Sequence, residues 1–385
     1  MSYLVSDLKD SVAGMLTSLD LNNVTNLDLC IQRAARQLAQ RVDILDTMGR
    51  QNLILYDGVF DYSPDSSIFG ASILDVKPQG NTRNSTDYAY KNPLADFDRS
   101  KGYGTTGTRI TFEYNQGTPI MRVVSVLPTS RAIVDTMDDT SGWTAAGTAG
   151  SLTQDPTTFY EGSDSLRFTL TGAGTGTLTK TVSTQDLSTL QNVGVGFLAI
   201  YVPTSIANLS SITVKLGSSA SAYASVTNTQ GFLGAWTANN WLLVPFDFST
   251  ATNNGTPDWT KIDYLQVSIV TSGTITNFRV GSFWVSAPTP VTVIFESAAM
   301  FKASGANPST TITNNNDQII LQDNAFTLFE HETACEILRQ MGGEAAGGQL
   351  ADLEHKMFDP ANGLYTLYRA DNPSQELRMI GSWYD

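Results

Sequence analysis

The chain has 385 residues, 41% of them hydrophobic and 16% charged, a composition that excludes a disordered polymer and is enough for two or three domains. Its 23 Lys and Arg against 37 Asp and Glu give a net charge of −14, which excludes a protein that grips nucleic acid through clustered basic residues. The first thirty residues hold neither a basic-then-apolar leader nor an apolar run near the ~20 residues that cross a bilayer, so signal-peptide export and membrane insertion are not expected. Cys30 and Cys335 each fall in a predicted helix, and both are expected to be buried free thiols of a chain folded in a reducing cytoplasm.

In "YLVSDLKDSVAGMLTSL" the apolar residues Leu4, Leu8, Val12 and Met15 or Leu16 recur every three or four positions, which predicts an amphipathic helix. Asn22 and Asn23 break it. Thr25 is the expected N-cap of a second helix with Ile31, Ala35, Leu38 and Val42 on its buried stripe. Short runs rich in Ile, Val, Phe and Tyr follow ("NLILYDGVFDYSP", "SILDVKP", "RITFEYNQGTPIMRVVSV" and, later, "PVTVIFESAAMF"), and they predict one antiparallel sheet. Between them, Gln79 to Thr108 has little apolar pattern and is expected to be a long exposed loop. Towards the C-terminus a long helix is predicted from about Asn324 to Gly342-Gly343, with a shorter one ended by Pro360.

The middle of the chain has a different texture. Ile133 to Pro288 holds ten acidic and five basic residues, with Ser, Thr, Gly and Asn filling much of the rest. Eight strand-like runs separated by turn residues, from "DSLRFTL" to "TNFRVGSFWVS", predict one β-sandwich. The flanking strands "GTPIMRVVSV" and "TPVTVIFESAAMF" enter and leave it, so the sandwich is read as an insertion on one hairpin. The expected class is therefore α+β: a discontinuous helical and small antiparallel-sheet host at 1–130 and 289–385, carrying an all-β jelly-roll sandwich at 131–288.

The order of local features in the insertion resembles the jelly-roll carbohydrate-binding modules and galactose-binding-like domains, on "MDDTSGW", "YEGSDSLRF", "WLLVPFDFS" and "DWTKIDYLQVSI". That resemblance implies sugar binding on exposed aromatic platforms. Trp143 and Trp241 are read as core, and Trp236, in "GAWTANN", is the candidate glycan contact. It also implies a structural calcium beside the Gly162-Ser163 turn, although the last strand, "RVGSFWV", has Gly281 or Ser282 where an Asp is expected. Asp135, Asp138, Asp139, Glu161 and Asp263 are the candidate oxygen ligands.

No catalytic constellation emerges. "HETAC" (His331 to Cys335) has the spacing of a zinc-protease helix but a Cys in place of the second His, and Cys335 falls on the apolar side. With two histidines, no Gly-x-Ser-x-Gly and no phosphate-binding loop, the expectation is a protein that is not an enzyme and needs no cofactor.

The host resembles the head-to-tail connector, or adaptor, proteins of tailed bacteriophages, on "ARQLAQRVDILDTM", the turn Tyr62 to Asp65 and "FTLFEHETACEILRQMGG". That resemblance implies a structural virion protein at the neck, made in the host bacterial cytoplasm. Its implied partners are the portal protein, a tail or nozzle protein and other copies of itself in a ring, commonly of twelve. DNA would pass through the ring without specific binding, which an acidic lumen favours. Leu377, Met379, Ile380, Trp383 and Tyr384 form a terminal apolar cluster expected to order against a neighbouring subunit. The alternative is a glycan-binding capsid-decoration or receptor-binding protein acting through the sandwich.

Overall fold

A computed structural model describes residues 3–16, 24, 26–41, 48–65, 68–78, 109–115, 118–124, 131–297, 299–306 and 308–371. The loop expected at Gln79 to Thr108, the Thr25 cap and the terminal cluster from Leu377 to Tyr384 lie outside the described residues.

Before the insertion come β1 (Tyr3–Leu4), α1 (Val5–Met15), α2 (Leu27–Arg41), β2 (Met48–Leu55), β3 (Asp61–Tyr62), β4 (Ile68–Pro78), β5 (Arg109–Asn115) and β6 (Thr118–Val124). The sandwich contains β7 (Ala132–Asp135), β8 (Thr144–Gly147), β9 (Thr153–Asp155), β10 (Ser165–Leu170), β11 (Ala173–Gln185) and β12 (Val195–Tyr201). It continues with β13 (Leu209–Ser219), β14 (Ala222–Asn228), β15 (Trp241–Asp247), β16 (Thr252–Asn254), β17 (Ile262–Ser272) and β18 (Ile275–Ser286). After it come β19 (Thr289–Ser297), β20 (Phe301–Lys302), β21 (Gln318–Ile319), α3 (Asp323–Met341), α4 (Glu344–Phe358) and α5 (Leu364–Asp371). The protein is α+β, with an antiparallel jelly-roll sandwich set between the two stretches of the host.

One sheet of the sandwich runs β15-β12-β18-β10-β9 with β7 also on β18, and the other runs β16-β14-β13-β17-β11-β8. Alternation builds the core between them. Leu265, Val267 and Ile269 of β17, Ile212, Val214 and Leu216 of β13, and Leu198, Ile200, Val280 and Phe283 of the opposite sheet are fully buried in one cluster. Asp155 pins the edge strand β9 to β18: it is buried and accepts hydrogen bonds from Arg279 Nε (2.7 Å) and from Thr157 N and Oγ1 (3.0 and 2.6 Å). Burial pushes its carboxyl up, but the bonds from Thr157 and Arg279 outweigh that and hold it well below the usual carboxylate range. A depressed carboxylate stabilises the fold above its unfolded pKa, and the contribution is lost as pH falls towards the folded value. Asp155→Asn is therefore expected to lower stability by about 1.5–3 kcal/mol at neutral pH, the range for charged hydrogen bonds. Urea unfolding at neutral pH and at about pH 3 should show that difference shrinking in acid, where the wild-type carboxylate loses its advantage.

The host halves on either side of the sandwich share a helical core. Val5, Leu8 and Val12 of α1 and Cys30, Ile31, Ala34 and Leu38 of α2 bury their stripes against α3, which is buried over most of its circumference. Tyr3 stacks on Phe326 at 3.7 Å between ring centroids and donates to Asp323 (2.8 Å), fastening the first strand to the start of α3. Both cysteines are free and buried; Cys335 packs on Met357 Sδ (3.6 Å), and burial pushes its thiol up to about 12.

The host strands do not make one sheet. Among the described residues they form three three-stranded sheets, β2-β19-β4, β3-β6-β5 and β1-β21-β20. The sandwich is accordingly not mounted on a hairpin: β6, which leads into it, pairs with β3 and β5, whereas β19, which leaves it, lies between β2 and β4. The aromatic stretch after Pro360 is helical too, and α5 buries Tyr365 and Tyr368 in the host core.

A third core joins host to sandwich. Val195, Phe197 and Trp284 on the outer face of the β15-β12-β18 sheet pack against Leu55, Val59, Tyr62, Met121, Val123, Val291 and Val293 of the host. Trp284 Nε1 donates to Asp57 O (3.0 Å), Asp57 N donates to Ser286 Oγ (2.9 Å), and Arg131 N donates to Asp57 Oδ2 (2.9 Å). Gly58 follows with φ +85°, and a Cβ there would meet Arg131 at 2.5 Å and Trp284 Nε1 at 3.0 Å, so only glycine lets the turn sit this close.

Candidate functional site

Among the described residues the host covers one outer face of the sandwich, that of the β15-β12-β18 sheet, and the β16-β14-β13-β17-β11-β8 sheet presents the other. Strand register lays its side chains in rows. One row crosses all six strands as Thr144, Thr179, Gln266, Lys215, Ser225 and Thr252. The next contains Thr181, Tyr264, Gly217, Tyr223 and Asn254. Gly217 separates the two tyrosines, and a Cβ there would meet Ala222 O at 2.2 Å and Tyr223 Cα at 2.5 Å, so the floor between the rings stays low.

Tyr223 and Tyr264 are half-buried, with centroids 6.2 Å apart and planes 33° from parallel. Lys215 Nζ lies 4.9 Å from the Tyr223 centroid. Burial, and then Tyr223, push the Tyr264 phenol up, so near neutral pH it stays protonated and can donate. Around the pair, Gln266 Nε2 donates to Thr179 Oγ1 (2.9 Å), and the Thr213 and Thr227 hydroxyls share a hydrogen bond (2.7 Å). Ring faces flanked by hydroxyls, a carboxamide and one ammonium can meet the apolar C–H face of a flat polyhydroxylated ligand while bonding its hydroxyls.

A second concavity, of about 570 Å3, lies where sandwich meets host. Its walls include Phe60, Asp61 and Arg122 from the host and Tyr160, Asn240 and Trp241 from the sandwich. Arg122 grips Asp61 with two hydrogen bonds (2.8 and 3.1 Å), and Trp241 stands between Tyr160 and Tyr201 at 5.9 and 5.7 Å.

Trp236 and Trp241 fall differently from their sequence assignments, whereas Trp143 is core as read. Trp143 and Trp259 are core. Trp236, the candidate platform, is half-buried with its ring against the sandwich core and does not stand out from the surface. Trp241, read as core, is half-buried on the outer side of β15, because the register pairs it with Tyr201 and leaves Leu242, Val244 and Phe246 facing inwards. Tyr223 and Tyr264 were missed as site residues, although "AYASV" and "DYLQVSI" alternate so as to point both outwards.

The calcium ligands do not come together. Asp135 takes the Lys180 ammonium on Oδ2 (2.6 Å) and Met137 N on Oδ1 (2.8 Å), Glu161 pairs with Arg131, and Asp263 lies on β17 of the opposite sheet. Asp139 is occupied by Ser141 N (2.9 Å). Asp138 Oδ1 and Glu161 Oε2 are buried without hydrogen-bond partners, beside Gly162. Among the described residues no three acidic, His or Cys side chains converge as a metal site. Of the candidates Asp135, Asp138, Glu161 and Asp263, Asp138 and Glu161 thus lie beside the Gly162 turn, whereas Asp135 is held by Lys180 and Asp263 stands apart on the other sheet.

No protein-family model and no curated protein matches the chain. Solved structures similar to it are carbohydrate-binding β-sandwich modules. The C-terminal family 22 module of Clostridium thermocellum Xyn10B is 18% identical over 41% of this chain and 91% of its own, with a TM-score of 0.26. The Clostridium thermocellum family 11 module, in complex with a β-1,3-1,4-mixed-linked tetrasaccharide, is 13% identical over 43% of this chain and 96% of its own, with a TM-score of 0.27. The family 30 module of Clostridium thermocellum cellulase Cel9D-Cel44B is 15% identical over 42% and 92%, with a TM-score of 0.26.

Proposed function

We propose that this protein is a glycan-binding structural subunit, in which the open six-stranded sheet of the sandwich binds carbohydrate and the host domain attaches it to a larger assembly. The observation that carries this is the Tyr223–Tyr264 pair: two ring faces on the outer sheet face that the described host residues leave uncovered, set among Gln266, Lys215, Asn254 and threonine hydroxyls. Lys215 is the one charged side chain in the two central rows, which suits a neutral or weakly anionic saccharide. A glycan array probed with the full chain tests this. Binding to a defined glycan is expected, and Tyr264→Ala should weaken it at least about tenfold, the effect of losing a central aromatic contact. Tyr264 lies on the outer face, outside the buried sandwich core, so the variant is expected to stay folded with at most a small fall in its unfolding midpoint. Undiminished binding by Tyr264→Ala would contradict this site.

For the host, a second proposal is that it is a head-to-tail adaptor subunit docking under a phage portal. What favours it is the shared core of α1, α2 and α3, which closes the two chain halves into one helical unit in the order the adaptor resemblance implies. Gold-labelled antibody against the sandwich should then mark a single collar between head and tail; label elsewhere on the particle, or none, would exclude it.

A further inference from the structure

We infer that the open sheet selects an acidic glycan, one that sets a carboxylate-bearing sugar against Lys215 while neighbouring rings lie on Tyr223 and Tyr264. This rests on the open-sheet reading and narrows it to a ligand class. The six strands of that sheet carry three charged residues, Lys180, Lys215 and Asp263. Lys180 is held by Asp135 (2.6 Å). Lys215 is not held in this way: among the described residues its Nζ meets no carboxylate, and its contact is with the Tyr223 ring, 4.9 Å from the centroid.

The position of Lys215 gives that charge a direction. It lies on β13, third of the six strands, with Ser225 and Gln266 directly across from it and Gly217 two residues on. Both neighbours are uncharged, and their donors are turned elsewhere, Ser225 Oγ to Thr252 O (3.0 Å) and Gln266 Nε2 to Thr179 Oγ1 (2.9 Å). An ammonium has three N–H donors and no acceptor, and a ring contact leaves donors able to bond an oxygen. Lys215 is also half-buried, where its attraction to an anion exceeds that of a lysine fully in water. A neutral glycan laid over the two tyrosines would strip water from the ammonium and return no charge, whereas a carboxylate compensates it. The number of charges is limited as well. One unpaired ammonium matches one carboxylate, and a net charge of −14 repels a densely charged polyanion, so acidic sugars must be interspersed with neutral ones or stand at a chain end.

Matched ligands separate this inference from the reading beneath it. Full-length protein is titrated by isothermal calorimetry with hyaluronan tetrasaccharide, which carries carboxylates within the chain, and with 3′-sialyllactose, which carries one at its end. Each is run beside its methyl ester, which keeps the shape and loses the charge. At least one acid should bind at least about fivefold more tightly than its ester, the effect of one partly exposed charged pair. Lys215→Met should reduce that acid to the level of its ester, Lys215→Arg should keep most of the preference, and Tyr264→Ala should weaken acid and ester alike. The acidic class is overturned if neither acid binds, if neither exceeds its ester, or if the preference survives Lys215→Met. In each of those cases the open-sheet reading still stands when an array glycan depends on Tyr264. Acid binding undiminished in Tyr264→Ala would overturn both.

Discussion

Replacing Arg41 with methionine is expected to destabilise the protein by about 3–5 kcal/mol, because it strands a buried carboxylate. Glu332, in the middle of α3, has no exposed surface, and its Oε1 lies 2.7 Å from Arg41 Nη1 as an ion pair outside hydrogen-bonding alignment. Arg41 in turn lies over the Phe358 ring at 4.7 Å, so one side chain ties α2, α3 and α4 together. Burial raises the Glu332 carboxyl above its usual range, with Arg41 acting against that. A carboxylate with a raised folded pKa costs stability as pH climbs from its unfolded value through the folded one, and below both the cost vanishes. Without Arg41 the penalty is larger and starts from the same unfolded value. The defect of Arg41→Met in urea melts should therefore be largest at neutral pH and shrink in mild acid. Glu332→Gln in the same background should recover much of the loss, and an unrecovered defect would mean that packing on Phe358 dominates.

Trp284→Ala should be comparably severe, about 3–5 kcal/mol for a buried tryptophan, and should also loosen the joint between host and sandwich. The ring has no exposed surface, stacks on Phe197 and Tyr160 at 5.8 and 6.0 Å, and carries the Arg131 guanidinium at 5.1 Å. Its indole N–H is the link to the Asp57 carbonyl. Calorimetry is expected to resolve separate host and sandwich transitions in this variant, closer together or merged in the wild type. Trp284→Phe keeps the stacking and loses one hydrogen bond, so about 1 kcal/mol is expected there. If Trp284→Ala lowered both transitions equally, the joint would not be where the two parts couple.

The sandwich was legible because its strands alternate: "IDYLQVSIV" and "SITVKLG" state which residues face in, and local signals of this kind need no knowledge of partners. Host pairing was not legible. The runs that became β6 and β19 read as one hairpin because both border the insertion, yet β19 found its partners in β2 and β4, and such non-local choices leave no mark in a short window. The helix α5 hid in an aromatic tail that reads as too short to fold alone, and what it docks on is the chain itself, since Tyr365 and Tyr368 are buried against the host's own helices. The same limit applies to the candidate site. Phe197 and Trp284 occupy outward positions just as Tyr223 and Tyr264 do, and only the host's contact decides that the first two are buried and the second two remain open. Tryptophan content pointed to Trp236, but the number of inward positions the sandwich core had to fill took most of that ring out of reach.

The most direct test of the glycan-binding account is a crystal structure of the full chain with the tightest-binding oligosaccharide from the array. The account predicts a sugar ring lying on Tyr223 or Tyr264, with hydroxyls bonded to Gln266, Lys215 or Asn254. A saccharide seated on the sandwich's end loops or on the host helices, with the six-stranded face bare, would contradict it.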